Sequence, residues 1–152
     1  MHHRRFLWAG LFAFVSIFIS SQLFAQGDVV EKRQKLMKSN GAASKALKRA
    51  VEEKDYATVE LKAKEIAGNM DKVLDLFPKG STSEKSRSKP EIWDRWDEFS
   101  KVPAKVKVSA LELGSAAAAK DEAQVRAKFE TFSKACGSCH KAFRKEVKKN
   151  GG

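Results

Sequence analysis

Five residues near the end of the chain, Cys136-Gly137-Ser138-Cys139-His140, constrain what it can fold into more than any other feature. They read C-x-x-C-H, the attachment signal for a covalently bound haem. Two thiols one helical turn apart can each form a thioether to a vinyl group on one porphyrin. The histidine beside the second thiol then falls under the iron and can bind it through an imidazole nitrogen. A fold that carries this motif has to bury much of a large apolar disc beside the segment that holds it.

The same residues have plainer uses. Cys136 and Cys139 could form a structural disulfide. A thioredoxin-like redox pair would require a strand-turn-helix setting, and the flanks here read as helical. A zinc site would require a fourth ligand at a matching spacing. The chain has no other cysteine, and its remaining histidines, His2 and His3, lie in a segment read as removed. Haem is the reading that uses all three residues.

That segment is residues 1–25. His2, His3, Arg4 and Arg5 make a positive start, Phe6 to Ile19 is a nearly unbroken apolar run, and Ser20 to Ala25 is a more polar exit. This is the layout of an export signal, with cleavage after Ala25. The competing reading is an uncleaved anchor, since the apolar stretch approaches the ~20 residues that span a bilayer. Ser16, Ser20, Ser21 and Gln22 weaken it. Export places the thiols in an oxidising periplasm, where haem of this kind is attached.

The expected mature chain, residues 26–152, is one small domain. The formal charge is +11, and losing Arg4 and Arg5 leaves +9. A basic balance usually marks a solvated surface, and here it also suggests acidic partners reached by electrostatic steering. Nucleic acid is not an expected partner, because acids interleave the basic residues and no nucleic-acid motif is present. A membrane partner follows only if the leader stays uncleaved.

Four amphipathic helices and no convincing strand can be read. The first runs from Asp28 to Val51, with Val29, Leu36, Met37, Ala43, Ala46, Leu47 and Ala50 at helical spacing. The second runs from Asp55 to Phe77 and stops at Pro78. A polar linker covers 80–89, and a short segment, 91–99, carries Trp93, Trp96 and Phe99, expected to turn inward. The third helix runs from Pro103 to Ala119. The fourth starts near Lys120 or Asp121 and continues to Lys148, with Cys136, Cys139 and His140 on its inward stripe. The expected architecture is an all-α antiparallel four-helix bundle, which holds cofactors between facing helices.

These residues resemble the class II c-type cytochromes, the cytochrome c′ superfamily. Cys136-Gly-Ser-Cys-His140-Lys-Ala-Phe143-Arg144 looks like their C-terminal attachment sequence. Arg33-Gln-Lys-Leu-Met37-Lys38, followed by Asn40-Gly41, resembles their first-helix pattern. Leu76-Phe-Pro-Lys-Gly-Ser81 and Lys89-Pro-Glu-Ile-Trp93 match their link region. The branch most resembled is the low-spin cytochrome c-556 type.

The resemblance implies one haem c per chain, with Cys136 and Cys139 as thioethers and His140 as proximal ligand. It implies Met37 as candidate sixth ligand, with Met70 as rival donor, and Arg33 against a haem propionate. Trp93 and Phe143 would line the pocket, and Arg144 would sit on the proximal side. Plain packing is the competing account of Met37, Trp93 and Phe143, and a solvated charge that of Arg33. The expected function is non-enzymatic: a periplasmic electron carrier passing single electrons between redox proteins with acidic docking surfaces, through a His/Met-ligated low-spin haem. The alternative is a five-coordinate binder of nitric oxide or carbon monoxide, as in superfamily members whose distal face is apolar and open. A homodimer paired through the first two helices is a further expectation from the relatives.

Overall fold

In a computed structural model, the backbone is described for residues 6–146 and the side chains for 28–146. The expected leader therefore falls partly on residues 1–5, outside the described residues, and otherwise on a stretch described by its backbone alone. Helix α1 spans Phe6–Glu53 and α2 spans Tyr56–Met70. After a 3-10 turn at Leu74–Leu76 come two single-turn helices, α3 (Glu91–Asp94) and α4 (Trp96–Phe99). Helices α5 (Val102–Ala118) and α6 (Glu122–Phe143) complete the chain. The architecture is the all-α four-helix bundle that the apolar periodicity implies, formed by α1, α2, α5 and α6. Among the described residues no helix is long and apolar enough to cross a membrane.

The two tight helical hairpins use one device twice. Lys54 and Lys120 adopt left-handed backbone (φ 57° and 55°) just after α1 and α5 end. An aspartate follows each and caps the next helix: Asp55 accepts from the Thr58 amide at 3.1 Å, and Asp121 from the Gln124 amide at 3.0 Å. These caps satisfy amides that the helix itself leaves unpaired. The chain reverses in two or three residues, so partners in each pair run antiparallel. Helix α2 packs on both α1 and α5, α5 packs on α6, and α1 meets α6 along little of its length. The α2–α5 approach is close because α5 carries Gly114, where an added Cβ would lie 3.4 Å from the Ala63 Cβ.

The core is continuous from Ala43, Leu47 and Ala50 on α1 through Val59, Ala63 and Ile66 on α2. It extends to Val106, Ala110 and Leu113 on α5 and Val125 and Phe132 on α6. Met70, the rival iron donor, is one of these buried residues.

Helix α1 begins at Phe6 rather than Asp28, and two helix ends and one aromatic also differ from the sequence reading. Helix α2 ends at Met70 rather than Phe77, because the chain tightens into the 3-10 turn ahead of Pro78. A residue before proline is driven from helical geometry, and Phe77 sits at φ −126°, ψ 48°. Helix α6 ends at Phe143 rather than Lys148, because Arg144 pairs with Ser88 in an isolated antiparallel bridge. Residues 147–152 lie outside the described residues. Of the three aromatics in 91–99, Phe99 is buried and Trp93 half-buried, whereas Trp96 stays exposed. Trp96 and Trp93 lie three residues apart with a break at Arg95 between α3 and α4, so the two indoles do not share one face.

Candidate functional site

The ion pair between Lys54 Nζ and Glu122 Oε2 (2.7 Å) marks where α1 and α6 stand level. Met37 lies seventeen residues before Lys54, and Cys139 lies seventeen residues after Glu122. At the helical rise, both stand about 25 Å from that ion pair. Antiparallel α1 and α6 thus bring Met37 level with the C-x-x-C-H motif and Arg33 level with Phe143. Leu36, Met37, Phe129, Cys136 and Cys139 are all half-buried and packed against the edge of the core.

Both cysteines are free, and burial pushes each thiol up to about 11, with the neighbouring Cys139 adding to the shift of Cys136. A redox pair or a reactive thiolate needs the opposite shift. His140 is half-buried, and its pKa is lowered first by burial and then by the charges of Arg144 and Arg87. Its imidazole is therefore neutral at pH 7, the form that ligates a metal. Among the described residues no group of three or more His, Cys, Asp or Glu side chains gathers as a metal site. A covalent haem fits this set: two neutral thiols one turn apart, a neutral imidazole beside them, and half-buried apolar side chains on the facing helix.

The Arg33 side chain is only 4% exposed, and no carboxylate contacts it. Its Nε and Nη2 donate to the Leu76 carbonyl at 2.9 and 2.7 Å. Nη2 also donates to the Ser81 carbonyl and hydroxyl at 3.1 and 2.6 Å, and Nη1 to the Ser88 hydroxyl at 3.1 Å. The guanidinium lies 3.9 Å over the Phe77 ring. Desolvation lowers its pKa to about 10, so it is still charged at neutral pH. Arg33 thus binds the segment between α2 and α3 onto α1.

That segment in turn grips the end of α6. The Lys89 amide donates to the Phe143 carbonyl (2.9 Å) and the Lys145 amide to the Arg87 carbonyl (2.8 Å). Residues 76–89 form a strap from Arg33 on one side of the site to Arg144 on the other. The linker composition gave no sign of this, because Ser81, Ser86 and Ser88 read as solvated and are in fact buried. Phe77 and Phe99 are also site residues; the sequence reading turned Phe99 inward without assigning it to the site and placed Phe77 only at the end of a helix. Phe99 bridges Phe77 (centroids 4.7 Å) and Phe143 (5.3 Å, edge to face).

Phe143 is buried, and Arg95 lies 5.0 Å over its ring. Trp93 donates its indole N–H to the Phe77 and Pro78 carbonyls at 3.3 and 3.1 Å. Arg144 is exposed, and its amide caps the His140 carbonyl at 3.0 Å.

Fold and site together define a class, the helical bundle built around a covalent haem. Residues 28–144 match the family model described as cytochrome C′. The chain is 32% identical over 118 residues to cytochrome c-556 of Agrobacterium tumefaciens, covering 76% of this chain and 95% of the relative. It is 31% identical over 118 residues to cytochrome c′ of Pararhodospirillum photometricum, covering 76% and 94%. A solved cytochrome c′ with an unusual ligand-controlled dimer dissociation superposes with a TM-score of 0.73 at 25% identity, covering 80% of this chain and 97% of that one. The chain belongs to the cytochrome c′ family. It carries one covalently attached haem c and is not an enzyme.

Family membership corrects the expected function. Single-electron transfer through a low-spin haem ligated by His140 and Met37 does not stand, because the cytochrome c′ family holds five-coordinate, high-spin haem that binds nitric oxide or carbon monoxide. The c-556 and c′ relatives match at 32% and 31% identity, so identity does not single out the c-556 branch. The Arg33-x-x-x-Met37 pattern carried the error. Helical spacing places Met37 level with the motif, but it does not encode a bond, and the half-buried thioether packs against the core.

Proposed function

We propose that this chain is a periplasmic haem protein that binds nitric oxide or carbon monoxide, with His140 as the one protein ligand to iron. The haem supplies the iron to which the gas binds. Cys136 and Cys139 hold the group to α6, and His140, whose pKa is lowered first by burial and then by the charges of Arg144 and Arg87, keeps its lone pair for the metal. Leu36 and Met37 form the apolar wall on the facing helix. Arg33 and the strap close the edge between them, Trp93 and Phe143 back the pocket, and Arg144 stands on the proximal side. The observation that carries this reading is the match of the whole domain, 28–144, to the cytochrome c′ family.

Within the superfamily we assign the chain no further than cytochrome c′ and its c-556 relatives together, since it is 32% identical to one and 31% to the other. The leader over residues 1–25 exports it and is removed after Ala25. A homodimer through α1 and α2 is the assembly we propose, supported by Leu61 on α2, which is 62% exposed.

Met37→Ala tests the assignment. The ferric spectrum should stay high-spin, and carbon monoxide should bind the ferrous protein faster because a side chain on the approach path has been trimmed. A change from low-spin to high-spin on substitution would show that the thioether had been bonded.

A further inference from the structure

We propose that the junction between the strap and the end of α6 is a docking surface for an acidic protein. The bridge between Ser88 and Arg144 draws two stretches of sequence together and sets Arg87 and Lys89 beside Lys141, Arg144 and Lys145. Lys89 Nζ reaches across to the Lys141 and Ala142 carbonyls (3.2 Å each), and Lys145 Nζ to the Ser86 carbonyl (3.3 Å). Gly137, His140, Lys141, Arg144, Lys145 and Glu146 line a recess of about 350 Å³ there, with Glu146 its one carboxylate.

Much of the positive charge on the helices is neutralised locally. Lys32, Lys35, Lys48, Lys64, Arg126 and Lys134 each have an acid one turn away on their own helix. Among the described residues, none of the five cations at the junction has an ion-pair partner. Unneutralised like charges in one place raise a positive potential that steers a complementary surface and fixes its orientation. The cations are spread over two segments, and four of the five are exposed. A small anion would instead need convergent, buried donors. Broad, exposed positive charge suits a carboxylate-rich protein face. The partner would then sit over His140, on the side of α6 that carries the attachment motif.

The test uses the haem-loaded protein and an acidic plant-type ferredoxin as probe, with affinity read by titration calorimetry. Arg87→Glu with Lys145→Glu reverses two charges at the junction. Lys45→Glu with Arg49→Glu makes the same change in net charge on α1, more than two helical turns past Met37. The wild type should bind, and more weakly as salt rises. The junction variant should lose at least tenfold in affinity and the remote variant less than threefold. Equal losses would reduce the effect to net charge and overturn the proposal, as would binding indifferent to salt. The milder pair Arg87→Ser and Lys145→Ser guards against misfolding, and an unchanged affinity there also counts against the surface. The readout is affinity, so its failure is separate from any failure of the gas-binding assignment, which the haem spectrum reports.

Discussion

Replacing Cys136 and Cys139 together by alanine is expected to leave the polypeptide with no covalently bound haem. The chain has only these two cysteines, so no other thiol can form a thioether. Both lie half-buried on α6, level with Met37 on the facing helix, and both are uncharged at neutral pH. The consequence extends to folding. A group that binds only the native bundle stabilises it by mass action, and without it Leu36, Met37 and Phe129 keep an apolar surface half open to water. The double variant should therefore also accumulate poorly. Haem staining after denaturing electrophoresis, or acid-acetone extraction, reads the first outcome directly. Haem that stays on the double variant through extraction would contradict the attachment chemistry.

Arg33→Leu is expected to cost about 2–4 kcal/mol of stability, the scale of buried acceptors losing a charged donor. The Leu76 and Ser81 carbonyls would lose their guanidinium partner, while the serine hydroxyls can rotate toward others. Part of the loss is returned, since an unpaired charge no longer has to be desolvated. Arg33→Lys should recover only a fraction, because an ammonium lacks the planar fork that reaches Leu76 with two N–H groups. Denaturant unfolding measures the change. Limited proteolysis should show faster cutting in 78–88, because the strap is pinned to α1 through this one side chain and Gln34. A variant within about 0.5 kcal/mol of wild type, the range of an ordinary surface substitution, would show that the strap is held elsewhere.

Much of the fold was legible because its signals are local and repeated. The apolar stripes of four helices, the proline after Phe77 and the capping aspartates at 55 and 121 each act within a few residues. The attachment motif was legible for the same reason, since Cys136, Cys139 and His140 sit within five residues of one helix. The strap was not. Its function arises from contacts between Arg33 and serines 48 to 55 residues away, and nothing in a run of Ser, Lys and Glu announces burial. The same gap separates the position of Met37 from its role. Spacing puts a thioether on the inner face of α1, but a bond to iron depends on a distance that helical periodicity does not specify. Trp96 shows the reverse error, an aromatic counted inward on composition that the break at Arg95 leaves outside.

Electron paramagnetic resonance of the ferric protein, purified with its haem, tests the central claim most directly. If His140 is the one protein ligand, the spectrum should be dominated by the axial high-spin signal. On reduction, carbon monoxide should then bind without first displacing a side chain. A rhombic low-spin signal, with the sulfur-to-iron band in the far red and slow carbon monoxide uptake, would contradict the account and return Met37 to the iron.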